Sequence, residues 1–255
     1  MSKICLITGD HPRHKFLANR IIASNQVSCW VMEKREKIVP TPPVGINDSL
    51  KKLFIHHFRE RERIENSVFG EFQNHESVPA LEVDVDSLNS EDTIRFVNNY
   101  NPNLVISYGC HKLHQKFINN VTARFWNTHG GLSPEYRGVI THFWPSYFLE
   151  PQMTGMTLHE TTDFLDGGEL IFQTAAPMVQ GDTLHRLAAR NVEIFADQLK
   201  SKVQNLDFAK LPSGIKQKSY GRVFLFKYWR PEHLKLIYEV YEDRIVDAVI
   251  EKKIV

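Results

Sequence analysis

The amino-acid sequence predicts an α/β fold: a doubly wound, Rossmann-like, mostly parallel sheet with a small C-terminal α+β appendage. Three observations carry this. Residues 104–108 (Leu-Val-Ile-Ser-Tyr) form a near-continuous apolar run, the pattern of a strand buried on both faces of a parallel sheet. The N-terminal third alternates short apolar runs with segments of helical periodicity. At 255 residues the chain can bury one full core with room for an appendage.

Residues 3–8 are apolar and end in Gly9-Asp10, a first strand and its turn; residues 15–24 then place Phe16, Leu17, Ile21 and Ile22 on one helix face. Residues 27–32 read as the second strand. Pro40, Pro42, Pro43 and Gly45 mark a loop, after which Asn47 or Asp48 can cap a helix carrying Leu50, Leu53, Phe54 and Phe58. The stretch Arg59-Glu60-Arg61-Glu62-Arg63 in that helix alternates in sign, and we expect a solvated face rather than a grip on a substrate diphosphate. Residues 81–85 are a candidate edge strand, 91–100 a helix, and 104–108 the central strand. Residues 122–126 lead as a strand into Asn127-Thr128-His129; residues 140–149 read as helix. Residues 156–160 and 169–174 are strands around a turn at Asp166, and 182–200 form a long helix capped by Asp182 or Thr183.

Pro212-Ser213-Gly214 interrupts the pattern. We place a main domain at 1–205 and a small unit at 206–255, with a strand over 222–228 and a helix opened by Pro231 that aligns Leu234, Ile237, Val240 and Tyr241. The aromatic residues Tyr220, Phe224, Phe226, Tyr228 and Trp229 suit plain packing, a dimer surface or a wall of the substrate site; a homodimer is the expectation.

Lys plus Arg is 31 against 30 for Asp plus Glu, so no net field favours nucleic acid. No apolar run approaches the roughly 20 residues of a membrane-spanning helix, and the first residues lack a signal-peptide layout. The expectation is a cytoplasmic protein with neither nucleic-acid nor membrane partner. Cys5, Cys29 and Cys110 show no C-x-x-C spacing, and free thiols are expected. His111 and His114 are three apart but lack a third ligand at metal-site spacing, so no metal is expected. Gly9 opens no G-x-G-x-x-G motif, which disfavours a dinucleotide.

The chemistry-bearing residues are Asn127, His129 and Asp166. On a strand, alternate side chains share a face, so Asn127 and His129 can aim at one point. The glycines after Asp166 permit a turn that returns its carboxylate to that point. An amide donor, an imidazole and a carboxylate then converge.

N-x-H at 127–129, L-x-P-x-Y-R-G at 132–138 and H-x6-D-G-G from His159 resemble the folate-dependent formyltransferase family. The resemblance is close over residues 104–173 and looser from the N-terminus to about residue 199. It implies 10-formyltetrahydrofolate as co-substrate without a metal, and Asn127, His129 and Asp166 as the catalytic trio. It also implies a pterin pocket formed by Gly109, Cys110, His111, Lys112 and Leu113 with Asp163, Leu165 and Gly167 of the 163–168 loop. His159 is either a core histidine or a member of the site. Tyr136 and Arg137 either pack the loop after the site or touch substrate. His11, Arg13, His14 and Lys15 either contact phosphate or nucleotide or form a solvated helix start.

Within the family, glycinamide ribonucleotide enzymes carry a Ser- and Asn-bearing glycine loop where this chain reads Gly9-Asp10-His11-Pro12-Arg13-His14-Lys15. Methionyl-tRNA enzymes carry a sizeable basic C-terminal domain, and formyltetrahydrofolate hydrolases an N-terminal regulatory one. The resemblance therefore points to the sugar N-formyltransferases, which act on nucleotide-linked amino-dideoxysugars. Formyl transfer to glycinamide ribonucleotide or methionyl-tRNA, or a non-catalytic folate- or nucleotide-binding relative, are the alternatives.

Overall fold

A seven-stranded sheet in the order β3-β2-β1-β4-β5-β7-β8 organises the computed structural model, which describes residues 3–70, 78–219 and 221–254. The strands are β1 (Ile4–Gly9), β2 (Val27–Glu33), β3 (Ala80–Val83), β4 (Leu104–Tyr108), β5 (Arg124–His129), β6 (Tyr136–Gly138), β7 (Met156–Glu160), β8 (Leu170–Thr174) and β9 (Arg222–Phe224). The first five are parallel, and β7 and β8 add antiparallel strands at one edge. β6 and β9 pair separately.

The helices are α1 (Pro12–Ile22), α2 (Asp48–Phe69), α3 (Glu91–Asn99), α4 (Gln115–Asn120), α5 (Trp144–Tyr147), α6 (Leu184–Gln204) and α7 (Ile245–Ile250). The open capping choices are decided by which side chain reaches an orphan N–H. Asn47 accepts from the Leu50 N–H at 2.9 Å, and Thr183 from the Arg186 N–H at 3.3 Å.

Period-two alternation divides the core. Ile4 and Leu6 of β1 face Leu17, Ile21, Phe195 and Leu199 of α1 and α6, whereas Cys5 and Ile7 face Ile94, Val97 and Phe117 of α3 and α4. Covering both faces in this way is what makes β1 and β4 wholly buried. All three cysteines are free thiols.

Several expected elements shorten. Only residues 144–147 of the segment 140–149 are α-helical, because Ile140 (φ 59°) and Leu149 (φ 60°) are left-handed. The strand expected over 222–228 stops at Phe224, where its three-residue partner β6 ends, and a 3-10 turn follows. The helix after Pro231 is broken into a 3-10 turn, a π-helical turn and α7, since Glu242 (φ 50°) and Asp243 (φ 56°) leave helical space. Tyr220 lies outside the described residues.

The C-terminal segment shares a core with what precedes it. Phe224, Leu234, Ile237 and Ile245 pack with Phe54, Tyr136, Phe143, Trp144 and Leu184. Phe224 stacks on Tyr136, with ring centroids 5.6 Å apart.

Candidate active site

The carboxyl ends of β1, β4 and β5 open into a cleft of about 1050 Å³. Such crevices are where open α/β sheets bind ligands. Asn127, His129, His159 and Asp166 all reach it.

Asn127 lies in a row across the sheet: Ser107 of β4 is its register partner on one side and His159 of β7 on the other. Ser107 Oγ donates to Asn127 Oδ1 at 2.9 Å, which turns the amide nitrogen toward the site. Nδ2 stands 3.3 Å from His159 Nε2 and 3.4 Å from Asp166 Oδ1. These contacts are long, so the amide can transfer its donor to a better acceptor at little cost.

His129 and His159 flank Asp166. The Tyr136 carbonyl, which can only accept, lies 2.7 Å from His129 Nε2, so that nitrogen carries a proton and Nδ1 faces Asp166 Oδ2 at 3.4 Å. His159 Nδ1 likewise donates to the Glu160 carbonyl at 2.8 Å and turns Nε2 toward Asp166 Oδ1 at 3.3 Å. Each ring thus presents its second nitrogen to one carboxylate. Burial pushes His129 below the usual histidine value, with the Asp166 charge opposing the shift. Burial would raise the Asp166 carboxyl, but the His129 charge and hydrogen bonds from His159 and the Gly138 N–H outweigh it and hold it low.

Asp166 depends on the C-terminal segment. Its backbone is left-handed (φ 45°), a conformation tolerated by Asp but needing support. Gln217 Nε2 supplies it, donating to the carbonyls of Asp166 and Gly168 at 2.8 Å each. Gly138 donates its N–H to Asp166 Oδ2 at 2.8 Å; it has φ 99°, and a Cβ there would collide with the Phe224 carbonyl.

Gly109, Cys110, His111, Lys112 and Leu113 form one wall of the cleft, and Asp163, Leu165 and Asp166 another. Gly167 is not among the residues that line the cleft. His11 and Arg13 also line the cleft. Lys15 does not: it follows the turn of α1 round to a smaller hollow with Pro12, Phe16 and Asn19. Tyr136 is 1 % exposed beneath Phe224, and its hydroxyl donates to Glu150. Arg137 is buried beside Gly167. Both belong to the packing of the loop rather than to the cleft wall.

Arg61 corrects the expectation of a solvated face. It turns inward to pair with buried Glu65 at 2.7 Å and lines the cleft, since α2 rests on α1 along that side. Sequence reasoning also missed Ser107, whose signal was a lone hydroxyl in an apolar strand. His57, His142 and His185 reach the cleft only through tertiary packing.

Comparison with known proteins bears on what this arrangement is. Residues 53–199 match the formyl transferase family model, more than half of the chain. The chain belongs to the formyl transferase family. Among relatives of this family member, phosphoribosylglycinamide formyltransferase from Escherichia coli is 32% identical over 102 residues, 39% of this chain and 47% of that enzyme. The trifunctional purine biosynthetic protein adenosine-3 from Gallus gallus is 33% identical over 76 residues, 29% of this chain and 7% of that protein. The matched stretch thus spans under half the length of either. Solved structures share the fold. A sugar N-formyltransferase from Shewanella aligns with TM-score 0.57 at 19% identity, covering 92% of this chain and 87% of its own. The formyltransferase PseJ from Anoxybacillus kamchatkensis, solved with UDP-4,6-dideoxy-4-formamido-L-AltNAc and tetrahydrofolate, aligns with TM-score 0.52 at 17% identity, covering 95% of each chain. Phosphoribosylglycinamide formyltransferase from Anaplasma phagocytophilum aligns with TM-score 0.54 at 21% identity, covering 88% of this chain and 98% of its own.

Proposed function

We propose that the protein transfers the formyl group of 10-formyltetrahydrofolate to the amine of a nucleotide-linked amino-dideoxysugar. The observation that carries this reading is the convergence of Asn127, His129 and Asp166 at the wall of the large cleft. A cleft of about 1050 Å³ suits two substrates side by side, and its aromatic wall of Phe54, Phe58 and Trp229 suits a flat base.

The residues present fit a folate co-substrate. Residues 109–113 and 163–166 line the cleft, with Leu113, Ile118 and Leu165 as apolar surface for a pterin. When bound, the folate supplies the formyl carbon. Asn127 Nδ2 donates to the oxyanion that forms as the amine attacks that carbon. His129 Nδ1 lies beside Asp166 Oδ2 and takes part in moving the proton, stabilising this charge once it carries one. Asp166, held ionised, draws the positive charge off the attacking amine. The proton so released returns to the departing folate nitrogen.

The protein is read as a cytoplasmic homodimer. Among the described residues no helix is long and apolar enough to cross a membrane. Phe226, Tyr228 and Val240 supply exposed apolar area in the C-terminal segment for a second copy. The 32% identity with the E. coli enzyme favours glycinamide ribonucleotide as the second reading.

The deciding experiment incubates the protein with 10-formyltetrahydrofolate and a panel of nucleotide-linked amino sugars plus glycinamide ribonucleotide. One acceptor should gain about 28 Da, the pocket setting which. A gain on glycinamide ribonucleotide alone replaces the sugar reading with the second one. No gain on any acceptor, with folate bound, supports a non-catalytic relative.

A further inference from the structure

Away from the trio, the cleft is lined by a charged group the formyl-transfer chemistry does not use. Arg13 on α1 and Arg61 on α2 both bond Glu65 through Nε, at 2.9 Å and 2.7 Å to the same oxygen, Oε1. The Glu65 side chain is 3% exposed, and those of Arg13 and Arg61 are 17% and 22% exposed. Burial would raise the Glu65 carboxyl, but the two guanidinium groups hold it far below the usual range. Two cations on one carboxylate leave a positive charge over, at a site largely removed from water. An uncompensated charge there is costly unless an anion joins it.

The neighbouring histidines do not dissipate that charge. The Glu36 carbonyl accepts from His11 Nε2 at 2.7 Å, so His11 Nδ1 is a lone pair and faces Arg61 Nη2 at 3.4 Å. Burial lowers His11, His14, His57, His142 and His185, and the Arg61 charge adds to the lowering of each. They are neutral rings in a positive field. Two of them carry buried nitrogens with no hydrogen-bond partner among the described residues: His14 Nδ1 and His185 Nε2. The two residues are 7% and 6% exposed, and both line the cleft.

His14 also fills the turn after β1. Its ring fills the space between Gly9 and Gly109, where a Cβ on either glycine would overlap it. That occupies the crevice between the carboxyl ends of β1 and β4, the usual phosphate position of such sheets. The positive charge sits one step out, on the guanidinium pair.

We propose that Arg13 and Arg61, fixed side by side on Glu65, bind a phosphoryl group of the acceptor. This rests on the formyl-transfer reading only for the identity of the ligand that carries the phosphate. Arginine forks suit phosphate oxygens, and both arginines line the cleft. Glu65 acts as a positioning residue, holding both forks together.

Inorganic phosphate is the first probe, with the full chain and no folate. Phosphate should raise the melting temperature beyond sodium chloride of equal ionic strength, and Arg61→Met should abolish that rise while 5-formyltetrahydrofolate still binds. In turnover, Arg61→Met should raise the acceptor KM about 10- to 100-fold, the loss of a charge-assisted hydrogen bond, with folate KM unchanged and partial recovery in Arg61→Lys. Inorganic phosphate should compete with the acceptor and not with folate, a measurement on the unaltered protein that needs no variant to fold. The proposal is overturned if phosphate adds nothing beyond chloride, or if Arg61→Met keeps the phosphate effect. It is equally overturned if Arg61→Met selectively weakens polyglutamylated folate, which would assign the pair to the folate tail. Failure of 5-formyltetrahydrofolate to bind would remove the formyl-transfer reading and leave the phosphate result standing.

Discussion

Gln217→Leu tests whether the C-terminal segment serves the chemistry or only the packing. The substitution removes two 2.8 Å hydrogen bonds, to the carbonyls of Asp166 and Gly168, while keeping similar bulk. At about 0.5–1.5 kcal/mol each, their loss costs about 1–3 kcal/mol of stability. A domain of this size loses about 2–4 °C of melting temperature per kcal/mol. The larger effect should be kinetic. Asp166 sits at φ 45° and faces both imidazoles at 3.3–3.4 Å. Released from Gln217, the loop can relax toward commoner backbone angles and carry the carboxylate away, and misplacement by about 1 Å can cost on the order of 10²-fold in rate. We expect kcat to fall about 10- to 100-fold with the Kd for 5-formyltetrahydrofolate within a few-fold of the original. The acid limb of the kcat profile should also move upward. The Asp166 carboxyl is held low by His129, His159 and the Gly138 N–H, and distance weakens all of these. Rapid-quench formyl transfer across pH, with calorimetric folate binding, reads each quantity. A lowered melting temperature with kcat and its pH profile unchanged would refute the coupling and leave Gln217 a packing residue.

Other perturbations address the rest of the site. Asn127→Ala should lower kcat by roughly 10²-fold with circular dichroism intact, the scale of a lost oxyanion donor; full activity would remove Asn127 from the mechanism. 5-Formyltetrahydrofolate, which cannot donate, should raise the melting temperature with concentration as a ligand of the native state, and absence of any shift would argue against the pocket at 109–113 and 163–168. Stability should fall as pH drops below about 6.5, before the carboxylates titrate. Burial holds His57 and His142 down at about 3, so the unfolded chain binds more protons in that window; their contribution is full above the unfolded value and is lost as pH falls toward the folded one. A melting temperature flat from pH 7 to 5 would contradict this. Truncation after Lys210 strips Phe224, Leu234, Ile237 and Ile245 from a shared core. It should give a poorly soluble protein or weakened acceptor binding, and a soluble truncate with unchanged acceptor kinetics would sink the assignment.

Local patterning carried the sheet and the trio. Apolar runs at residues 3–8 and 104–108 point to strands buried on both faces, the pattern of a covered parallel sheet, and β1 and β4 are wholly buried. The N-x-H spacing required a common face for Asn127 and His129 once the strand was recognised, and Asp166 lies within 3.4 Å of both. The sequence was silent where the outcome depended on which element lands beside which. Arg61 lies in a stretch of alternating charge; helix geometry sets Glu65 one turn on, but only the packing of α2 on α1 buries that pair beside the cleft. Lys15 is one helical turn from His11, yet the curve of α1 carries it to a different hollow. Gln217 sits in an irregular segment with no periodicity to mark it, and its two bonds to the Asp166 loop span 49 and 51 residues. Strand and helix are chosen by short-range periodicity, which one pass along the chain can read. Burial of a charge, the choice of its partner and support for a left-handed aspartate arise from contacts between distant segments, and only the folded chain brings those together.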